Sequence, residues 1–303
     1  MLETELIGRR LKNPTILASG ILGMSSSSLI NVINNGAGAV TTKSFSLKER
    51  KGHKNPILCE FDGGFINAVG LSNPGIEEMK KEINEFKKKC NAPLIASVFA
   101  ERMNEFGEIV EKTSELKPDF IELNISCPNV DEEMGKPFAC NKESAMQVTE
   151  IARERTKIPL IVKLSPNVDD ITVIAKAAEE AGANAINAIN TLGPGMVIDV
   201  KTGKPILANK FGGVSGKAVK PITVASVYKI YEKVNIPIIG TGGVAKGEDA
   251  VELLMAGASA VGIGTGVYYR GIDVFKKVCE EMKKFMKENG YRNIKELVGK
   301  AHE

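Results

Sequence analysis

The stretch Ala181-Gly182-Ala183-Asn184-Ala185-Ile186 joins the end of an amphipathic helical segment to the start of a buried strand. Its glycine suits the left-handed residue that often ends a helix, and the small residues after it lead into the apolar run. The same design recurs at Asn35-Gly36-Ala37-Gly38-Ala39-Val40 and at Ala256-Gly257-Ala258-Ser259-Ala260-Val261. This weak repeat of helix end followed by strand is typical of a chain in which helices alternate with parallel strands.

Eight β-rich runs occur along the chain, and amphipathic helical segments separate most of them. The runs are apolar on both faces, as expected of parallel strands that helices cover. Eight β-then-α units in one chain predict a TIM barrel, an α/β fold, with a doubly wound open sheet as the alternative. We predict strands at Thr15–Ala18, Ala39–Thr42, Leu94–Val98, Phe120–Asn124, Leu160–Leu164, Ala185–Ile189, Ile236–Gly240 and Ala260–Ile263, and helices at Ile76–Lys89, Asn104–Leu116, Lys142–Arg155 and Val168–Ala181.

The chain length of 303 residues is common for an α/β barrel, so we predict a single domain over residues 1–303. The leader from Glu3 to Asn13, with a turn at Gly8, predicts a hairpin that closes the N-terminal end of the barrel. Two insertions, Lys43–Pro74 and Gly193–Lys220, follow strand ends. We therefore expect both on the C-terminal face, where barrel enzymes carry their chemistry.

Composition excludes several classes of function. Apolar residues make up 43% and charged residues 25% of the chain, and a net charge of +3 spread over several helices argues against nucleic acid as a partner. No apolar run reaches the ~18 residues that span a bilayer, and the acidic start lacks the layout of a signal peptide, so we expect a cytoplasmic protein without membrane contact. Five scattered cysteines, without a CxxC pair, and two histidines predict neither a disulfide framework nor a metal site held by this chain alone.

Two glycine-rich turns, Gly240-Thr241-Gly242-Gly243 and Gly262-Ile263-Gly264-Thr265-Gly266, follow the last two predicted strands. Glycine lets backbone N–H groups approach an anion closely. TIM barrels often bind phosphate with the loops after strands seven and eight. The two turns together therefore predict a phosphate site, with ordinary turn chemistry as the alternative.

Other polar side chains stand at predicted strand ends. Lys43 ends the second predicted strand and Lys163 lies at the end of the fifth, and both could simply be solvated at the rim of the barrel. Beside a phosphate site, however, they suit a flavin, whose reduced ring carries negative charge. The absence of GxGxxG after an early strand disfavours a Rossmann dinucleotide site. Amides at the same ends can form a donor–acceptor ring for a small planar ligand, and these residues are Asn67, Asn124, Asn129 and Asn190, the last followed by Thr191.

The segment Asn124-Ile125-Ser126-Cys127-Pro128-Asn129 places a cysteine where a buried strand gives way to a loop. Amides flank the thiol, and Pro128 stiffens the turn that presents it. A thiol in that setting is a candidate proton-transfer group or nucleophile, although a lone cysteine is more often a small structural residue.

Taken together, these motifs resemble the dihydroorotate dehydrogenases of the soluble, cysteine-dependent class, over nearly the whole chain. The motifs that carry the resemblance are Ala18-Ser19-Gly20, Thr42-Lys43-Ser44, Asn67-Ala68-Val69-Gly70-Leu71-Ser72-Asn73-Pro74-Gly75, Asn124-Ile125-Ser126-Cys127-Pro128-Asn129, Asn190-Thr191, Gly212-Gly213-Val214-Ser215-Gly216, Gly240-Thr241-Gly242-Gly243 and Gly264-Thr265.

The resemblance implies one FMN per chain at the mouth of the barrel, and oxidation of dihydroorotate to orotate in pyrimidine biosynthesis. It implies that Cys127 removes the C5 proton and that a flap from Pro128 to about Asn141 closes over the site. The implied FMN-binding residues are Ala18, Ser19, Gly20, Lys43, Ser44, Asn124, Lys163, Ile189, Gly216, Gly242, Gly243, Gly264 and Thr265. The implied substrate-binding residues are Lys43, Asn67, Gly70, Leu71, Asn124, Asn129, Asn190 and Thr191.

The segments Asn190-Thr191-Leu192, Gly195-Met196-Val197-Ile198-Asp199 and Lys204-Pro205 resemble the NAD-linked branch, often called class 1B. That branch implies a partner subunit with FAD and a [2Fe-2S] cluster, in a heterotetramer built on a homodimer of this chain. A fumarate-linked homodimer is the alternative within the family. The membrane-linked class has serine in place of Cys127 and an N-terminal extension, so quinone is not the expected acceptor.

A second cysteine, Cys140, departs from the pattern, because many relatives have glycine there. Dihydropyrimidine dehydrogenases have their catalytic cysteine near this place, so an enzyme that uses Cys140 on a uracil-like substrate is one alternative. A phosphate-binding barrel without redox chemistry is another. The Asn-rich pattern and Pro128-Asn129 favour Cys127 as the working base.

Overall fold

The computed structural model describes residues 1–126 and 141–303, and eight parallel strands in it close into a barrel. In chain order, the strands of the described residues are β1 (Thr4–Leu6), β2 (Arg9–Leu11), β3 (Thr15–Leu17), β4 (Ala39–Thr41), β5 (Leu58–Phe61), β6 (Gly64–Asn67), β7 (Leu94–Val98), β8 (Phe120–Asn124), β9 (Leu160–Leu164), β10 (Ala185–Ala188), β11 (Leu192–Gly195), β12 (Ile198–Asp199), β13 (Lys204–Pro205), β14 (Gly212–Ser215), β15 (Ile238–Thr241) and β16 (Ala260–Ile263).

The barrel follows chain order through β3, β4, β7, β8, β9, β10, β15 and β16, and β16 pairs with β3 to close it. All eight predicted strands are confirmed, with ends that differ by no more than two residues. The predicted TIM barrel is therefore confirmed, and the closing pair excludes the open doubly wound sheet. The seventh strand begins at Ile238 rather than at the predicted Ile236, after Pro237, which cannot donate to a ladder.

Helices cover the outside of the barrel, and the four predicted ones are confirmed with small changes at their ends. In α2, the buried residues Ile76, Met79, Ile83 and Phe86 recur every three or four positions and form one apolar face. Acidic residues begin this helix and lysines end it, which complements its dipole. The helices of the described residues are α1 (Ser26–Asn34), α2 (Ile76–Lys89), α3 (Glu105–Ser114), α4 (Lys142–Glu154), α5 (Ile171–Glu180), α6 (Lys220–Tyr231), α7 (Gly247–Met255), α8 (Gly266–Arg270) and α9 (Val274–Glu288).

The N-terminal hairpin β1–β2 plugs the bottom of the barrel, as predicted. Leu6 and Leu11 are fully buried, and they pack against a layer of apolar side chains that point inward from the barrel strands. That layer consists of Ile16, Ala39, Ile95, Phe120, Ile161, Ala185, Ile239 and Ala260.

The next inward layer of the barrel is polar. Side chains alternate across a strand, so the residue two positions after each apolar one also faces the interior. Buried polar side chains stand at six of these eight positions, namely Thr41, Ser97, Glu122, Lys163, Asn187 and Thr241. The interior therefore changes from apolar at the hairpin end to polar toward the C-terminal mouth, which is where a ligand would meet it.

The two insertions meet over the mouth. Strands β5 and β6 come from the first insertion, β11 and β14 come from the second, and together they form a four-stranded antiparallel sheet. The central pair joins β14 to β6, with Gly213 opposite Asn67 and Ser215 opposite Phe65. Two distant parts of the sequence thus form one wall. No helix in the described segments is long and apolar enough to cross a membrane.

Candidate active site at the barrel mouth

A cavity of about 710 Å³ lies between the C-terminal ends of the barrel strands and the sheet of the insertions. Every predicted site residue that the structure describes lines this one cavity. Cys127, Asn129 and Cys140 lie outside the described residues. The lining residues among those predicted are Ala18, Ser19, Gly20, Lys43, Ser44, Asn67, Gly70, Leu71, Asn124, Lys163, Ile189, Asn190, Thr191, Gly216, Gly242, Gly243, Gly264 and Thr265.

The first glycine-rich turn packs directly against the start of α6. A Cβ on Gly242 would lie 2.3 Å from Thr223 Oγ1, and a Cβ on Gly243 would lie 2.4 Å from Lys220 Cβ. Both glycines also have positive φ, at +141° and +78°. A side chain at either position would push the turn off the helix, so glycine is required for this close approach.

The two turns present unused backbone donors to the cavity. Within residues 1–126 and 141–303, the N–H groups of Gly242, Gly243, Gly264 and Thr265 donate to no other group of the chain. All four residues line the cavity. Converging N–H groups without an internal acceptor form a concave site for an anion. The residues present therefore fit a phosphate group.

Two lysines bring positive charge to the same cavity. Lys163 is 4% exposed, and its Nζ donates a 2.9 Å hydrogen bond to Ser19 Oγ. The backbone N–H of Lys43 donates to the carbonyl of Gly23 at 2.8 Å, which anchors the residue at the end of β4. A buried ammonium is costly unless it faces a negative or electron-rich group. The site is therefore suited to an anionic or electron-rich ligand.

Side-chain amides form a continuous hydrogen-bond chain along one wall. Asn124 Nδ2 donates to Ser44 Oγ at 3.1 Å, and Ser126 Oγ donates to Asn124 Oδ1 at 2.9 Å. Asn190 Nδ2 in turn donates to Ser126 Oγ, and the N–H of Thr191 donates to Asn190 Oδ1 at 2.8 Å. The sequence reasoning assigned no role to Ser126, although it stands inside the quoted Asn-Ile-Ser-Cys-Pro-Asn segment.

This wall continues into the polar layer of the barrel. Ser44 Oγ lies 2.9 Å from Ser97 Oγ, and Ser97 Oγ donates to Glu122 Oε1 at 2.8 Å. Asn187 Nδ2 donates to Glu122 Oε2 at 2.6 Å, and Thr241 Oγ1 donates to Asn187 Oδ1 at 2.7 Å. The sequence reasoning missed Ser97, Glu122 and Asn187. A glutamate inside an otherwise apolar strand was the signal that could have revealed the group.

The loop after β6 adopts a conformation that its neighbours hold in place. Gly70 has a φ of +69° and Leu71 has a φ of +56°, a value that is costly for a branched side chain. Arg50 Nε donates to the carbonyl of Gly70 at 2.8 Å, and a Cβ on Gly70 would lie 2.7 Å from His53 Cδ2. His53 also lines the cavity and was not predicted. The position of His53 in the cavity wall depends on how the first insertion folds back over the barrel, which its local sequence does not specify.

An aromatic group that the sequence reasoning missed borders the cavity on the insertion side. The ring of Phe65 lies 5.1 Å from that of Tyr268 and 5.6 Å from that of Tyr269, centroid to centroid. Burial raises the pKa of the Tyr269 hydroxyl. A Cβ on Gly216 would lie 2.5 Å from Tyr269 Oη, so glycine is needed where this ring closes the wall. The paired tyrosines, which follow the second glycine turn after Val267, were the available signal.

Comparison with known proteins agrees with this architecture. A family model described as dihydroorotate dehydrogenase matches residues 1–286. The dihydroorotate dehydrogenase B (NAD(+)) catalytic subunit of Methanocaldococcus jannaschii is 48% identical over 306 residues, which cover 100% of this chain and 99% of the relative. The proteins of the same name from Methanothermobacter thermautotrophicus and Pyrococcus abyssi are 46% and 44% identical, with 100% and 99% of this chain and 99% of each relative covered. A likeness that runs through the barrel, both insertions and the residues of the cavity shows that this chain belongs to the dihydroorotate dehydrogenase family.

Proposed function

We propose that this protein is the catalytic subunit of an NAD-linked dihydroorotate dehydrogenase, which oxidises (S)-dihydroorotate to orotate in de novo pyrimidine biosynthesis. The observation that carries the proposal is the single cavity at the barrel mouth, where an anion site, two lysines and a row of amides meet. Family membership supports the same reaction, because relatives with this name match the chain from end to end.

We infer that the cavity binds one FMN and that residues 1–303 form one FMN-binding barrel domain. The free N–H groups of the two glycine turns fit the FMN phosphate, and Lys163 fits the electron-rich edge of the ring. Bound FMN would supply the hydride acceptor that oxidation of a carbon–carbon single bond requires. The remaining residues of the cofactor set would line the ring, namely Ala18, Ser19, Gly20, Lys43, Ser44, Asn124, Ile189 and Gly216.

The amide wall fits the substrate. Dihydroorotate is a small cyclic anion with alternating carbonyl and N–H groups, and amide side chains can both donate to and accept from such an edge. Lys43 would neutralise the carboxylate, and the loop at Gly70 and Leu71 would cover the ring. Oxidation removes a proton from C5 and a hydride from C6. The residues proposed to hold the substrate are Lys43, Asn67, Gly70, Leu71, Asn124, Asn129, Asn190 and Thr191.

Cys127 is the proposed base that accepts the C5 proton. That proton lies next to a carbonyl and is weakly acidic, so a positioned base contributes roughly 10²- to 10⁴-fold. Ser126, the residue before it in the sequence, lines the cavity, and this supports the choice of Cys127 as the base. Cys140 is the alternative base, and it would suit a uracil-like substrate.

The test is anaerobic mixing of the flavin-loaded protein with dihydroorotate, and separately with dihydrouracil, while the flavin absorbance is followed. Cys127→Ser and Cys140→Ser are measured beside the wild type. We expect dihydroorotate to bleach the flavin rapidly, and we expect only Cys127→Ser to lose that rate. Bleaching that survives in Cys127→Ser and fails in Cys140→Ser would move the base to Cys140, and a preference for dihydrouracil would contradict the proposed substrate.

The electrons would leave through a partner subunit. The relatives are named as catalytic subunits, which supports a second chain, and we propose that it carries FAD and a [2Fe-2S] cluster in a heterotetramer built on a homodimer. The test compares NAD reduction by the purified chain with that by the chain co-purified with its partner. Oxidation of dihydroorotate by the chain alone with fumarate, as fast as by the complex with NAD, would contradict this assignment.

A further inference from the structure

A carboxylate stands in the middle of the barrel, beneath the proposed ligand site. Glu122 is 0% exposed and points inward from β8. It accepts hydrogen bonds from Ser97 Oγ at 2.8 Å and from Asn187 Nδ2 at 2.6 Å. Its two hydrogen-bond partners in the described chain are thus neutral. Burial of a carboxylate without a cation costs free energy, and hydrogen bonds must offset that cost. The groups that donate to Glu122 are therefore held in place.

On the first side of Glu122, the side of Ser97, hydrogen bonds run from the carboxylate through Ser97 and Ser44 to Asn124. The direction of each one is fixed by the hydrogen bond that lies nearer to Glu122. A carboxylate only accepts, so the single hydroxyl proton of Ser97 points to Glu122. Ser97 must then accept from Ser44, whose hydroxyl lies 2.9 Å away. With its own proton used, Ser44 accepts from Asn124 Nδ2 at 3.1 Å. The carboxylate therefore determines which end of the Asn124 amide faces Ser44.

The same direction continues to the mouth of the barrel. Asn124 Oδ1 accepts from Ser126 Oγ, which leaves Ser126 to accept from Asn190 Nδ2. Asn190 Oδ1 accepts from the N–H of Thr191, a backbone donor that cannot be reversed. Every link donates toward Glu122, and the chain of hydrogen bonds begins at a fixed donor and ends at a fixed acceptor.

On its second side, Glu122 orients a separate part of the cavity. The amide of Asn187 donates to Glu122 Oε2, so its Oδ1 is turned to accept from Thr241 Oγ1 at 2.7 Å. Thr241 lines the cavity at the first glycine turn. One carboxylate thus orients the cavity-lining amides on its first side, and on its second side the buried Asn187 and, through it, the cavity-lining Thr241.

We propose that Glu122 is a positioning residue of this enzyme: together with the fixed N–H of Thr191 it sets the hydrogen-bond direction of the amides of Asn124 and Asn190 on one side, and it sets that of Asn187 and Thr241 on the other. The inference rests on the proposed function, because it takes dihydroorotate and orotate as the ligands. A planar ring with fixed donors and acceptors loses hydrogen bonds when a facing amide is reversed, and buried mismatches of this kind discriminate strongly between ligands.

The test exchanges the carboxylate and the amide. In Glu122→Gln, the new side chain can satisfy Ser97 or Asn187 in the original direction, but not both, because its Nε2 is a donor. In Asn187→Asp, two carboxylates face each other where the structure has a 2.6 Å hydrogen bond. In the double variant Glu122→Gln/Asn187→Asp, the new amide at position 122 accepts from Ser97 through its oxygen and donates through its nitrogen to the new carboxylate at position 187. That carboxylate also accepts from Thr241, so the double variant reverses only the link between positions 122 and 187 and keeps every other direction.

The readouts are the affinity for orotate by calorimetry, the KM and kcat for dihydroorotate, and the flavin content. We expect each single variant to weaken orotate binding by roughly tenfold or more, the scale of one buried mismatched hydrogen bond. We expect the double variant to recover to within about threefold of the wild type, which a purely volume-filling role for Glu122 would not explain. A Glu122→Gln protein that binds orotate like the wild type would overturn the proposal, and so would a double variant no better than the worse single one.

Ser97→Ala keeps the inference testable if the variants at position 122 do not fold. It breaks the link between Glu122 and Ser44, and we expect weaker orotate binding together with a lower melting temperature, because Glu122 loses a buried hydrogen bond. The matched control is Ser226→Ala, which removes a buried hydroxyl of α6 that donates to the carbonyl of Ile222, outside the network. Equal orotate affinity in Ser97→Ala and Ser226→Ala would overturn the proposal. A wild-type protein that neither binds orotate nor oxidises dihydroorotate would contradict the proposed function instead.

Discussion

Lys163 Nζ donates a 2.9 Å hydrogen bond to Ser19 Oγ, although the two residues are 144 positions apart in the sequence. Lys163 belongs to β9, and Ser19 follows β3, which stands on the opposite side of the closed barrel. The lysine side chain therefore crosses the interior and forms part of the floor of the cavity. A positive charge fixed in this place would stabilise negative charge on a ligand ring bound above it.

Replacement of Lys163 by methionine should weaken FMN binding while the barrel stays folded. Methionine keeps the long apolar stem and removes the charge, and a hydrogen bond from a charged donor contributes about 1.5–3 kcal/mol. We expect a fall in FMN affinity of roughly 10- to 100-fold, measured by fluorescence titration of the apoprotein. Lys176→Met on the outer helix α5 is the control, since Lys176 pairs with Glu179 at the surface. Equal affinities in the two variants would contradict the role of Lys163.

Gly70→Ala should raise the KM for dihydroorotate without loss of flavin. The added Cβ would meet His53 Cδ2 at 2.7 Å, so the loop that covers the proposed substrate must shift. Overpacking of this kind costs about 1–3 kcal/mol, which corresponds to a KM increase of roughly 5- to 100-fold if the cost falls on binding. Steady-state kinetics and the flavin-to-protein ratio measure both parts of the prediction.

The control for Gly70→Ala is Gly203→Ala. Gly203 has a φ of +68°, nearly the +69° of Gly70, but no atom lies within 4 Å of its added Cβ. The two variants therefore share the strain of a positive φ at alanine, and only Gly70→Ala adds a steric clash with His53. A KM that rises equally in both would show that strain alone, and not contact with His53, explains the effect.

Gly242→Ala should lower FMN affinity, and Thr223→Ala should partly restore it. The added Cβ would lie 2.3 Å from Thr223 Oγ1, and removal of that hydroxyl relieves the contact. The φ of +141° remains unfavourable for alanine, so we expect recovery to be incomplete. FMN titration of the two single variants and the double variant measures the coupling. Strictly additive effects of the two substitutions would contradict this collision.

Stability should fall in alkaline solution because of Cys279. Burial raises the pKa of this thiol from 9.0 to about 11. Between these values the unfolded thiol loses its proton while the folded one keeps it, so ionisation favours the unfolded state. The contribution is fully present below pH 9 and disappears as the pH rises toward 11. By about pH 10 we expect a loss of roughly 1 kcal/mol in unfolding free energy.

Urea unfolding of wild type and Cys279→Ala at about pH 8 and about pH 10 isolates this effect. Lysines and tyrosines titrate in both proteins, so their contribution cancels in the difference. We expect the stability advantage of the wild type over Cys279→Ala to shrink by roughly 1 kcal/mol at the higher pH. An advantage that stays constant would show that the thiol is not held neutral by burial.

Much of the fold could be predicted because its determinants are local. Apolar runs with glycine before them marked several of the barrel strands, and the spacing of Ile76, Met79, Ile83 and Phe86 marked a helix whose bounds are those predicted. The cavity lining could also be predicted, since the carboxyl ends of parallel strands meet at one edge. Lys43 and Lys163 were therefore expected at the same mouth, and the structure places both there.

The residues that were missed depend on contacts between distant parts of the chain. Ser97 lies opposite Glu122 in the register of β7 and β8, and no feature of either strand alone specifies that register. Tyr269 borders the cavity because its ring packs on Phe65 of the first insertion, whose strand pairs with the second insertion. Such pairings follow from closure of the barrel and cannot be found from spacing.

Side-chain periodicity and glycine placement were thus enough to specify the eight-stranded barrel, its N-terminal plug and the position of the proposed site, because each depends on a few neighbouring residues. The hydrogen-bond direction around Glu122, the reach of Lys163 to Ser19 and the wall built from two insertions arise only when the strands close into a cylinder. Closure brings side chains from neighbouring and opposite strands within hydrogen-bond distance of one another. At that distance the order of donors and acceptors, and no longer the apolar pattern, determines what the site can bind.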